Sequence, residues 1–315
     1  MWRKLGFKAG GSMDNQVDVS RTNGYGDVFS KISSAIDRIG NISLSEGDRV
    51  LIKINICGFR APSAGAITHP LFLEAVLRYL RNNFNGLEII VIESDATDSK
   101  PDITMKWFGF DKILDRWDAR WYNLSKNATI NKQINGLHFR EMEISEVFND
   151  YDYFITLPKL KSHSLTKITG SLKNQFGCIP LKRKVRFHGN IDEVIVDSNL
   201  AMKPDLCIVD GIISMVGGVA LYGIPKKTDT LIVGRNPVSV DAVCARILGY
   251  SPRRIGHIKK AKQVGLGDDR YRLMNLPNLD GFKIENELPI WKEYALNFGR
   301  SLKRNYDKKS RKLGR

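Results

Sequence analysis

Lysines and an asparagine stand where the inside of a sheet is expected. In Leu51-Ile52-Lys53-Ile54-Asn55-Ile56 the two-residue period of a strand puts Lys53 and Asn55 on one face together. After the apolar stretch 151–157, the run Pro158-Lys159-Leu160-Lys161-Ser162-His163 puts Lys159, Lys161 and His163 on one side of an extended chain. Strands covered on both faces are almost wholly apolar, because a buried polar group without a partner costs a few kcal/mol and a buried charge more. One reading makes these positions solvated edges, where lysine discourages sheet-to-sheet aggregation. The other makes them a site, since open α/β sheets bind ligands at the carboxyl ends of their strands. Both segments lie at such ends, which favours the site, and three lysines favour an anion.

Other polar residues fall in comparable places. Asp95 follows a strand over 87–93 and Asp210 closes one over 205–209, so both are expected near the same sheet edge, unless they are ordinary turn aspartates. Asp241 shares the apolar face of a helix over 237–248 with Val238, Ala245 and Leu248. A carboxylate there either lies close to the helix N-terminus or pairs with Lys53, Lys161 or Lys173. In 166–177 a threonine cap candidate, Gly170 and Lys173 can make an anion cradle at a helix start, although the phosphate-loop pattern G-x-x-x-x-G-K-[ST] is absent and a plain amphipathic helix fits too.

The chemistry expected of this set is acid–base work on a small anion. Lys53, Asn55, Lys159, Lys161, Lys173 and Asn174 bind the substrate, His163 or His188 moves the proton, and Asp210 and Asp241 orient or polarise these groups. No cofactor is dictated. A divalent metal stays open, with His69 and Asp95 as candidate ligands, because no His pair has a spacing that fixes ligation. Gly217-Gly218 and Gly223 mark either a lid over the ligand or a tight turn.

The elements that must position these residues alternate. Strands are expected over 49–56, 87–93, 120–124, 137–144, 151–157, 205–209 and 230–233, from Val- and Ile-rich runs bounded by turn residues. Helices are expected over 28–39, 70–86, 105–114, 169–176, 191–202, 237–248 and 255–264, from apolar residues at helical spacing. Residues 1–26 read as Gly-rich loop. Strand, helix, strand in repetition predicts an α/β fold with a mainly parallel sheet and crossover helices on both faces. Residues 1–285 form one such domain, and 286–315 an amphipathic helix and a basic tail.

Composition narrows the classes further. The chain has 315 residues, is 42% hydrophobic and carries 49 Lys and Arg against 34 Asp and Glu, a globular make-up with a formal charge of +15. Residues 300–315 hold eight basic residues and one acid, so nearly half of that charge is a tail. Trp291, Tyr294, Phe298 and Leu302 precede it at helical spacing, the pattern of an interfacial helix. The alternative function is therefore a non-catalytic protein that attaches to an anionic membrane surface or acidic partner through this tail. No recognised RNA- or DNA-binding motif appears, so nucleic acid is not the expected partner. Cys57, Cys178, Cys207 and Cys244 are far apart, without zinc-ribbon or ferredoxin-type spacing, so no iron–sulfur cluster is expected. Without a signal-peptide core or a membrane-length apolar run, the expected location is cytoplasmic, with the tail allowing a peripheral membrane contact.

Read in order, these pieces resemble the family known as domain of unknown function 362. The resemblance covers about residues 17–267 and rests on VLIKINI with Lys53 and Asn55, Thr68-His69-Pro70, Glu93-Ser94-Asp95, LPKLKSH (157–163), TGSLKNQFG (169–177), His188, KPDLCIVDGI (203–212), MVGG (215–218) and NPVSVDAV (236–243). The resemblance implies the fold and the motif positions, not a reaction. Many members look like this chain with a ferredoxin-type cysteine cluster appended, which implies a redox role for them; this sequence lacks those cysteines. Ile54 replaces a proline common in relatives, which changes backbone rigidity and leaves the Lys and Asn chemistry intact.

Overall fold

The computed structural model describes residues 15–97, 99–217 and 223–284. Strands are β1 (Gln16–Arg21), β2 (Arg49–Lys53), β3 (Glu88–Glu93), β4 (Ala119–Asn123), β5 (Thr129–Gln133), β6 (Glu141–Ser145), β7 (Tyr153–Thr156), β8 (Lys159–His163), β9 (Lys167–Thr169), β10 (Leu206–Val216), β11 (Ile224–Gly234) and β12 (Arg272–Leu273). Helices are α1 (Val28–Arg38), α2 (Pro70–Asn83), α3 (Pro101–Trp107), α4 (Phe110–Arg116), α5 (Ser171–Phe176), α6 (Ile191–Ala201), α7 (Pro237–Ile247) and α8 (Gly256–Gln263).

The main sheet runs in the order β12-β1-β11-β10-β7-β2-β3-β4. β10, β7, β2, β3 and β4 are parallel neighbours, while β11 and β1 extend the sheet antiparallel. Alternate residues of each strand face opposite layers. Val50, Ile52, Val91, Ile155 and Ile208 pack with α1, α2, α3 and α4, whereas Leu51, Ile90, Ile92, Phe154 and Val209 pack with α5, α6, α7 and α8. The expected α/β fold with helices on both faces is the one observed. Leu51 shares its face with Lys53, so the lysine continues a packed apolar row rather than standing on a polar one.

From β2 the chain moves outward through β3 to β4, and later returns to β2's other side with β7 and β10. Strand order therefore reverses at β2/β7, the kind of point where open sheets leave a crevice beyond the strand ends. Lys53 ends β2, Glu93 ends β3 and Thr156 ends β7, so all three sit at that crevice.

Several expectations need correction. Residues 16–21, read as loop, form β1: Val17 and Val19 are buried, while Asp18 is buried too and held by Arg38, which broke the apolar pattern. The single helix over 105–114 is two, separated at Gly109, whose φ of 73° belongs to the left-handed region. The strand over 137–144 begins at Glu141 and pairs with β5 in a separate hairpin. The strands over 205–209 and 230–233 are longer, because β10 and β11 pair antiparallel out to Val216 and Ile224. Asp210 is consequently inside a strand and not at its end. The aromatic stripe and basic tail after residue 284, and residues 218–222 of the Gly-rich loop, lie outside the described residues.

Candidate functional site

Lys53 is fully buried at the end of β2 and faces Glu93 at the end of β3, its Nζ 2.7 Å from Oε1. The same ammonium donates to the Ile54 carbonyl at 2.7 Å. Glu93 accepts from the Ile56 and Ser94 amides at 2.8 and 2.9 Å, so both members of the pair are satisfied. Gly177 comes so close that a Cβ there would lie 2.9 Å from Lys53 Nζ. Lys53 thus meets a carboxylate, and its charge is neutralised before any ligand arrives. Asn174 closes the floor: its Nδ2 donates to Thr156 Oγ1 at 2.9 Å and to the Lys53 carbonyl at 3.3 Å, tying β2 to β7 across the switch point. Its Oδ1, like that of Asn55, is buried without a hydrogen bond among the described residues.

A second group surrounds Asp210. Lys159 Nζ is 2.8 Å from Asp210 Oδ2, both side chains being fully buried. Tyr25 donates its hydroxyl to Asp210 at 3.2 Å, and the His69 amide donates at 3.1 Å. Burial, then Asp210, pushes the Tyr25 phenol up, and burial pushes Lys159 down against the pull of Asp210. His69 stacks on Tyr25 at 3.9 Å, and burial lowers it to about 4. Its Nδ1 accepts the Leu71 amide at 3.2 Å, capping α2. Lys159 and Asp210 form a closed, neutral pair.

The third group has no acid. Lys161 Nζ donates to the Ala66 carbonyl at 2.8 Å and lies 3.1 Å from Cys57 Sγ. Lys173, on α5, makes no hydrogen bond or ion pair among the described residues, and burial followed by the charge of Lys161 lowers it to about 8. His163 is held well below its ordinary 6.5 by burial, then by Lys173 and Lys161. Its Nδ1 accepts the Leu165 and Thr166 amides at 3.2 and 3.4 Å, which assigns the proton of the neutral ring to Nε2. His188 is exposed and is lowered by its partial burial and by Lys173. Lys161 and Lys173 thus lie beside a neutral N–H donor without a carboxylate partner among the described residues.

Asp241 plays a different part from the one expected. It is fully buried, but neither its own helix start nor a lysine holds it: Oδ1 accepts the Ser171 amide at 2.5 Å and Oδ2 the Leu172 amide at 3.1 Å. It caps α5 from outside, so the amides proposed as an anion cradle are already occupied. Burial raises Asp241 to about 7, opposed by those amides. Nor do Asp95 and Asp210 meet at one edge. Asp95 accepts from Asn123 at 3.0 Å, whereas Asp210 serves Lys159, Tyr25 and His69. The metal candidates His69 and Asp95 therefore belong to different groups, and among the described residues no three His, Cys, Asp or Glu side chains gather as a metal set.

Sequence reasoning missed Lys184, Tyr25, Cys57 and the acid partner Glu93. Lys184 donates to Ser94 Oγ at 2.8 Å and to the Asp95 carbonyl at 2.6 Å, and burial lowers it to about 8. It belongs to the basic run Lys182-Arg183-Lys184, whose other two residues are exposed, so nothing in the sequence singles it out.

The model of the family Domain of unknown function (DUF362) matches residues 50–246, and this chain belongs to that family. Over 267 residues it is 28% identical to the thylakoid-associated protein sll1697 of Synechocystis sp., covering 81% of each chain. Its fold can be superposed on the lactate racemase apoprotein of Thermoanaerobacterium thermosaccharolyticum with a TM-score of 0.38 and 11% identity, over 81% of this chain and 58% of that one. No helix among the described residues is long and apolar enough to cross a membrane.

Proposed function

We propose that the chain is an enzyme that binds a small anionic substrate beyond the ends of β2, β7 and β8 and performs acid–base chemistry on it. The observation that carries this reading is Lys161 and Lys173, two neighbouring cations without a carboxylate partner among the described residues. Of the six residues expected to bind substrate, these two are the ones left to do so. Lys53 and Lys159 are each engaged by an acid, and Asn174 orders the floor. Asn55 offers a buried acceptor. His163, neutral with its proton on Nε2, hydrogen-bonds and polarises the bound group, and His188 exchanges protons with solvent.

A thermal-shift screen of the full chain tests this reading, using phosphate esters, carboxylates and sulfate with neutral isosteres as controls. A ligand at 100 times its Kd adds about 2.7 kcal/mol to the native state. Anions are expected to raise the Tm of the wild-type chain and not of K161M or K173M; an unresponsive wild-type chain overturns the reading.

A second reading, peripheral attachment to an anionic membrane through residues 286–315, is favoured by the relative's thylakoid association and by the eight basic residues over 300–315. The two readings are compatible, because they use different parts of the chain.

A further inference from the structure

We propose that Cys57 is a nucleophile of the site, a thiol beside the Lys161 ammonium that attacks the electrophilic carbon of a small anionic substrate; this rests on the anion-binding reading and specifies its chemistry.

The four cysteines divide sharply. Cys178, Cys207 and Cys244 are buried, and burial raises all three, Cys178 to about 12, the setting of inert core thiols. Cys57 is partly exposed and stands just beyond β2 at the switch-point crevice. A reactive thiolate needs both access and a neighbouring cation. Lys161, only 2% exposed, supplies the cation at 3.1 Å, and the Ala66 carbonyl fixes that ammonium from another side at 2.8 Å. Ala66 is itself the acceptor of the Cys57 thiol at 3.3 Å, so sulfur, ammonium and carbonyl hold one another in place. Lys173 is near enough for Cys57 to act on its charge.

Two further groups point to a ligand beside the sulfur. Lys173 has no counter-charge among the described residues, so a carboxylate or phosphate seated there is held next to Cys57. His163 is nine-tenths buried, its Nδ1 is used by two amides, and Nε2–H makes no hydrogen bond among the described residues. Its electrostatic neighbours are the same Lys161 and Lys173. Nucleophile and cation are thus in contact, and the spare N–H donor lies in the field of the same lysines, an arrangement that nucleophilic catalysis uses.

The step balances without a redox partner. As the bond from Sγ to the substrate carbon forms, the Cys57 thiol proton is released to solvent, the Lys161 ammonium stays charged beside the sulfur, and the bond from carbon to its leaving group breaks with the electron pair departing on the leaving group. His163 Nε2–H hydrogen-bonds the departing group or the carbonyl oxygen.

Alkylation of the full-length native protein by iodoacetate and by iodoacetamide, followed by peptide mass spectrometry, provides the test. Iodoacetate carries the carboxylate the site is built to hold, and iodoacetamide is its neutral counterpart. Cys57 is expected to be carboxymethylated selectively, with an iodoacetate-to-iodoacetamide rate ratio about tenfold above that of a peptide containing the same cysteine, equivalent to about 1.4 kcal/mol. Sulfate is expected to protect it. K161M is expected to lose the rate, with K161R, which keeps the cation, retaining part of it. A Cys57 that stays unlabelled, or shows the peptide's ratio, while sulfate still raises the Tm overturns the nucleophile and leaves anion binding standing. Loss of both the ratio and the sulfate response overturns the reading beneath it.

Discussion

Lys53 and Lys173 are close in space yet should respond oppositely to the same substitution. K53M leaves Glu93 buried without its cation, and breaking such a pair costs about 3–5 kcal/mol. K173M removes a charge that its surroundings oppose, so it is expected to raise stability, by on the order of 1 kcal/mol after screening. Chemical denaturation at neutral pH checks both signs. The pH dependence has a defined direction as well. Lys173 falls from 10.5 to about 8 on folding, so within that window the unfolded chain binds more protons and stability rises with pH. Below about 8 both states are protonated and the full penalty is present. K173M is expected to flatten this rise between pH 8 and 10.5, read from denaturation midpoints. The positions of Lys53, Lys159 and Lys161 were legible because a lysine in a Val- and Ile-rich strand violates the burial pattern. Which acid meets which lysine was not. Glu93 lies 40 residues from Lys53 in the chain, Asp210 lies 51 from Lys159, and only the strand order brings each pair together.

At the scale of elements, α5 holds the site in place. Its six residues carry Lys173 and Asn174, and a helix this short depends on what anchors its ends. Asp241 supplies the anchor from α7 through the Ser171 and Leu172 amides. Gly170 makes room for it, since a Cβ there would collide with Asp241 Oδ1. G170A should therefore push Asp241 off the helix start, costing roughly 1–3 kcal/mol as an overpacked core residue does. It should also weaken anion binding by displacing Lys173, although Gly170 touches no ligand. Denaturation together with anion titration of G170A checks this, and an unchanged Tm and affinity contradict it. The order of strands and helices was legible from periodicity, and TGSLKNQFG was recognisable as a unit. The target of Asp241 was not, because its face is buried either way and nothing local selects between its own helix and α5. β1 escaped for a related reason: its Asp18 and Ser20 interrupt the apolar pattern while being buried with Arg38.

Across the whole molecule, +7 of the formal charge of +15 lies in residues 300–315 and +8 in the rest of the chain, which includes a small internal set of lysines. In the second reading the tail carries the encounters with anionic surfaces, and such encounters are screened by salt within about 8 Å at physiological ionic strength. Pelleting with acidic vesicles, comparing the full chain with one ending at Pro289, is expected to show binding that is lost on truncation and at high salt. Equal pelleting of the two contradicts a role for the tail. The internal set is less accessible to salt, and it holds the central claim, that Lys161 and Lys173 bind a small anion. The most direct test is calorimetric titration of the full chain with sulfate, whose charge is constant over the range, from pH 6 to 10 at fixed ionic strength, beside K173M. Affinity is expected to hold below about pH 8 and to decline above it as free Lys173 loses its proton, with K173M binding weakly at every pH. Equal affinities and pH profiles for the two proteins would contradict the account.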